Sequence, residues 1–96
     1  MFIVSLHYIK PLAEVDALIG EHKAFLEQHY ASGNFLLSGR KEPRTGGVIV
    51  ARAASREELA QILSQDPFQR AGVTQYEVTE FLPSMAASTL IDLISG

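Results

Sequence analysis

NFLLSGRKEPRTGGVIVAR, residues 34–52, decides the fold. It holds two apolar runs of strand length, FLL and VIV with their flanking glycines, split by the charged, proline-bearing turn KEPRT. Runs this short do not make an amphipathic helix, so the stretch reads as a β-hairpin at the centre of the chain. What flanks the hairpin on each side then fixes the architecture.

Working outward, Leu12, Val15, Leu18, Ile19, His22, Phe25, Leu26, His29 and Tyr30 recur every three or four residues, the stripe of one amphipathic helix, and Gly33 stops it. On the other side, Ser55 and Glu58 form a capping box that opens a second helix burying Leu59, Ile62 and Leu63. The chain begins with a strand, residues 2–8, with Phe2, Val4, Leu6 and Tyr8 on one face and Ile3, Ser5 and His7 on the other. VTQYEVTEFL, residues 73–82, has strand composition too, with Tyr76, Val78 and Leu82 on one side and Phe81 on the other. The order β-α-β-β-α-β without internal repeats predicts an α+β, ferredoxin-like sandwich, four antiparallel strands with both helices on one face.

The first strand is nearly apolar on both faces, and no helix of the main unit is left for the second face. A homodimer, or a higher homo-oligomer, is therefore expected. The domain is expected to span residues 1–83. Residues 84–96, SMAASTLIDLISG, form a C-terminal extension in which Ser84 caps a short helix burying Leu90, Ile91, Leu93 and Ile94. Such a tail either folds back over its own subunit or docks on a partner.

Composition narrows the function classes. A net charge of -3 with eight Lys and Arg argues against a nucleic-acid footprint. The absence of cysteine excludes disulfides, thiolate nucleophiles and Cys-type metal sites. The apolar N-terminus lacks a basic leader and a cleavage site, and no run reaches the ~20 apolar residues of a membrane span. A cytoplasmic protein with no membrane partner is expected.

His22 interrupts the apolar stripe, so its ring points toward the sheet, where a buried imidazole needs a polar partner. Asp66, in SQDPFQRAG (residues 64–72), lies at the end of the second helix. Asp followed by Pro is also how a new helical turn begins, with the carboxylate capping free N–H groups and Pro67 in the first position. Both readings stand: a local cap, or half of a proton-transfer pair. His7, His22 and His29 carry no metal-binding spacing, so neither a metal site nor a cofactor is expected. His29 is expected to snorkel at the helix end. Ser38 lacks a nucleophile elbow and is better suited to contacting a ligand. Arg40, at the end of the hairpin's first strand, could hold a carboxylate or phenolate. Phe68 is either a ring-stacking wall or core.

The segments EHKAFLEQHYASGNFLLSG and SREELAQILSQDPFQRAGVTQYEVTEFLP resemble the YciI-like (YCII-related) family, over residues 1–83. The resemblance rests on His22, Ser38-Gly39 closing the second strand, and Asp66-Pro67-Phe68 followed by Ala71-Gly72. It implies a dimeric α+β barrel with a His-Asp dyad, here His22 and Asp66, in a pocket between helix and sheet. It further implies small, often aromatic, substrates; Ser38, Gly39, Arg40 and Phe68 are the residues expected to contact one. In such a dyad Asp66 orients and His22 moves the proton, as an elimination or isomerisation requires. The alternative is a non-catalytic ligand-binding or assembly module with the dyad as a buried strut. The extension beyond the last strand departs from the family pattern.

Overall fold

The computed structural model describes residues 1–94. Four strands, β1 (Phe2–Tyr8), β2 (Phe35–Arg40), β3 (Gly46–Ala51) and β4 (Thr74–Glu80), form one sheet in the order β2-β3-β1-β4. Every neighbouring pair is antiparallel. This is the ferredoxin-like arrangement expected from the element order, with the hairpin β2–β3 in place.

Alternation along β1 puts Phe2, Val4 and Leu6 inside, facing Ala51, Ile49 and Gly47 of β3 and Glu80, Val78 and Tyr76 of β4 in register. Against this face pack Val15, Phe25, Leu59, Ile62, Leu63 and Phe68, all buried. The core is continuous from Phe35 on one edge strand to Val73 before the other. At the β1–β3 contact the backbones approach so closely that a Cβ on Gly46 would lie 1.8 Å from the Leu6 carbonyl oxygen. Only glycine fits there.

The first helical stripe is two helices, not one: α1 (Leu12–Asp16) and α2 (Ile19–Ala31). The chain tightens between them. The Leu18 N–H bonds to Val15 O, three residues back, and Leu18 has φ -107° and ψ 0°, outside the helical region. Gly20, a weak helix former, sits just beyond the break. The side-chain period survives this change of axis, so His22, Phe25 and His29 still face the sheet. Gly33, at φ 85°, ends α2 as expected.

The second helix, α3 (Arg56–Leu63), starts at its capping box, with the Glu58 N–H donating to Ser55 Oγ at 3.1 Å. The Glu58 carboxylate reaches back one residue further than the usual box and accepts from Ala54 N–H at 3.1 Å. Asp66 does not end this helix. It opens a separate four-residue turn, α4 (Pro67–Arg70).

Strand β4 stops at Glu80. Leu82 is 85% exposed and Phe81 40%, so neither belongs to the strand faces expected for them. Pro83 removes the next backbone donor. Ser84 caps nothing. Residues 81–87 have no regular structure, and Ser88–Leu93 forms a 3₁₀-helix without a side-chain cap. Leu90 and Ile91 stay exposed, whereas Leu93 and Ile94 are half-buried beside Met1, Arg52 and Pro83. The run Ala-Ala-Ser-Thr offers too little apolar surface to fix a full α-helical turn on the domain. The end of the expected extension, residues 95–96, lies outside the described residues. Among the described residues, no helix is long and apolar enough to cross a membrane.

Candidate active site

Three elements meet at Asp66. Its carboxylate is fully buried and accepts three hydrogen bonds. Oδ1 receives the Phe68 backbone N–H at 2.9 Å, the N-cap bond of α4, and the Nδ1–H of His22 on α2 at 2.8 Å. Oδ2 receives the hydroxyl of Tyr76 on β4. The two readings of Asp66, helix cap and imidazole partner, are thus both realised by one oxygen. A carboxylate this deep requires such a set of donors, because an unpaired buried charge is far costlier than the bonds are worth.

An ionised carboxylate only accepts, so a hydrogen bond to it places the shared proton on Nδ1. Nε2 has no protein partner among the described residues. The ring is held flat against Phe68, with centroids 3.9 Å apart and planes 8° from parallel. Phe68 is thus part of the core, and its face is taken up by the imidazole. Its own ring is fixed edge-on by Tyr8 at 6.2 Å.

A cavity of about 130 Å³ opens beside His22, lined by Leu6, Tyr8, Ile19, Gly39, Arg40, Gly47 and Phe68. Its floor is the inward face of the sheet, where Gly47 pairs with Leu6 and Arg40 and presents no side chain. At the rim, Arg40 is exposed and forms no salt bridge among the described residues. Arg44 donates to Asp16 and so ties the hairpin loop to α1. Larger grooves lie on the surface, among them one of about 350 Å³ between α3 and β4 that the imidazole does not line.

The expected site residues therefore divide. His22, Asp66 and Phe68 are in mutual contact, and Gly39 and Arg40 line the same cavity. Ser38 is not among the residues lining it; its Oγ is hydrogen-bonded to the Tyr30 hydroxyl. His29 does not snorkel: it is 6% exposed, packed between Phe25 and Phe35, with Nε2–H donated to Gln65 Oε1 at 3.0 Å. Among the described residues no cluster of three His, Asp or Glu side chains could hold a metal ion.

Tyr76 was not among the expected site residues. Its strand pattern reads as packing, and the only signal was that a half-buried tyrosine hydroxyl needs a partner. Burial, first, and then the adjacent Asp66 charge push its phenol far above the ordinary tyrosine value, so it remains a donor.

Residues 1–82 match the family described as the YCII-related domain. Among solved structures, the chain is similar to 5-chloro-2-hydroxyhydroquinone dehydrochlorinase from Burkholderia phenoliruptrix AC1100, in complex with 2,5-dihydroxybenzoquinone. The TM-score is 0.71 at 22% identity, over 84% of this chain and 93% of that one. No curated protein sequence matches the chain.

Proposed function

From the chain's place in the YCII-related domain family, to which it belongs, we propose that it is an enzyme of general acid/base chemistry on a small, planar, oxygenated ring, without a tightly bound cofactor. The observation that carries this is the His22 Nδ1–Asp66 Oδ1 bond of 2.8 Å, with the opposite nitrogen unpartnered beside a cavity. Nε2 takes a proton from carbon or hydroxyl of the substrate. The electron pair left behind either expels a leaving group from the neighbouring atom, an elimination, or is reprotonated by Nε2–H at a second position, an isomerisation. Positioned proton transfer of this kind contributes about 10²- to 10⁴-fold in rate.

The cavity limits the substrate: a dry space of ~150 Å³ holds one benzene ring, so this one of about 130 Å³ takes a single ring only with its substituents directed to the open mouth. Arg40 at the rim supplies a cation for a phenolate or carboxylate. The similar dehydrochlorinase is named for a chlorinated hydroxyhydroquinone, which supports a small hydroxylated ring as the substrate class to test first.

The outer face of the sheet, with Ile3, Val48, Val50 and the 62% exposed Leu37, is assigned to a second copy of the chain. Light scattering at micromolar concentration gives a dimer mass under this assignment, and a stable monomer contradicts it.

The direct test uses 2,5-dihydroxybenzoquinone as a binding probe and chloride release from 5-chloro-2-hydroxyhydroquinone as the assay. The probe should perturb the His22 resonances, and His22→Asn should retain the fold and lose turnover. A His22→Asn variant that changes stability alone, or a probe that binds elsewhere, supports a non-catalytic ligand-binding or assembly module instead.

A further inference from the structure

Asp66 offers two oxygens, and only one of them touches His22. Oδ1 is shared by the imidazole and the α4 backbone, while Oδ2 has the Tyr76 hydroxyl as its one hydrogen-bond donor among the described residues. With Asp66 fully buried, solvent does not substitute for that donor. Tyr76 is held by the sheet, opposite Leu6 in the β1–β4 register, and so is anchored independently of the two helices it braces.

We propose that Tyr76 is a positioning residue of the site: its hydroxyl, donated to Asp66 Oδ2, fixes the carboxylate's orientation and governs how tightly His22 holds its proton. The proposal rests on the His22–Asp66 reading and extends it to a relay from β4 through α4 to α2. When Tyr76 donates, negative charge is drawn toward Oδ2 and Oδ1 is a weaker partner for the imidazole. Removal of the hydroxyl concentrates charge on Oδ1 and favours the imidazolium. Burial and the Asp66 charge keep the phenol protonated, so the donor is present throughout the range in which histidine titrates. The other charged or titratable groups nearby are Tyr8 and Arg40 across the cavity, Arg56 in the groove outside Tyr76, Glu21 and Arg70 in the groove between α2 and α4, and His7, Lys41 and Glu77 in the groove that Tyr76 also borders. None of these is hydrogen-bonded to Asp66 among the described residues.

The test is an NMR pH titration of the full chain carrying isotope-labelled histidine, which needs no substrate. The unaltered protein, Tyr76→Phe, Asp66→Asn and the double variant are compared. Tyr76→Phe should raise the His22 midpoint by about half a pH unit or more, the scale on which a charge-assisted bond redistributes over two coupled groups. Asp66→Asn should lower the midpoint, and adding Tyr76→Phe to it should produce no further shift. A purely structural tyrosine would lower the melting temperature and leave the midpoint unmoved.

An unmoved midpoint in Tyr76→Phe, with a lowered one in Asp66→Asn, overturns the proposal and leaves the dyad standing. A midpoint unaffected by Asp66→Asn overturns both. Should Tyr76→Phe fold poorly, Tyr76→3-fluorotyrosine, a stronger donor of nearly the same shape, should lower the midpoint, and a rise or no change would overturn the proposal.

Discussion

Asp66→Ala is the perturbation that most severely tests how the site is built. It removes an N-cap, at about 1 kcal/mol. It also strands two donors, His22 Nδ1–H and Tyr76 O–H, which cost about 1 kcal/mol each at the low end, since the His22 side chain is 12% exposed and can recruit some water. The expected loss is therefore about 3 kcal/mol, and in a domain of this size each ~1 kcal/mol moves the melting temperature by about 4–8 °C. Asp66→Asn is the control. Asparagine caps as well as aspartate, keeps an acceptor for His22, and turns its amide toward a tyrosine oxygen that can accept, so it should cost only about 1 kcal/mol. Paired urea and thermal unfolding at neutral pH measure both. If alanine and asparagine destabilise equally, or if alanine costs under about 0.5 kcal/mol, Asp66 does not join three elements and the reasoning fails.

Because the Tyr76 phenol is raised above its unfolded value, the folded state retains a proton that the unfolded chain releases above about pH 10. Its contribution to stability is complete below that pH and falls above it, by up to about 1.4 kcal/mol per pH unit. Urea stability between pH 9 and 11 should accordingly decline less steeply in Tyr76→Phe than in the unaltered protein. Gly46→Ala forces a Cβ to 1.8 Å from a backbone oxygen and should abolish folding or cost more than about 3 kcal/mol. Gly39→Ala meets nothing within 4 Å and should fold normally, as circular dichroism and urea midpoints would report.

The strand order and hairpin were legible because alternation and turn chemistry are local. Phe2, Val4 and Leu6 declared a buried face before any partner was known, and Ser55 with Glu58 declared a helix start. His22 was legible as an exception to an apolar stripe, and Asp66 as an acid in a turn. Their meeting across 44 residues was implied by family resemblance, not by spacing. Other features were hidden for physical reasons. Leu18 fits the helical stripe, so the break before Ile19 leaves no mark on periodicity. His29 looks like a helix-end residue until Phe35 and Gln65 close over it. Tyr76 satisfies a strand pattern whether its hydroxyl meets water or a carboxylate. Gly47 reads as hairpin punctuation, although its missing side chain leaves the cavity floor open. In the tail, a Ser84 cap and the apolar count suggest a packed helix, but neither supplies a surface to dock on.

The chemistry of the site turns on where one proton resides. Nitrogen-15 chemical shifts of His22 at a pH where the ring is neutral should show Nδ1 protonated and Nε2 bare, facing the cavity as a base. A protonated Nε2 with a bare Nδ1 would contradict it, since no bond could then join that nitrogen to the Asp66 carboxylate.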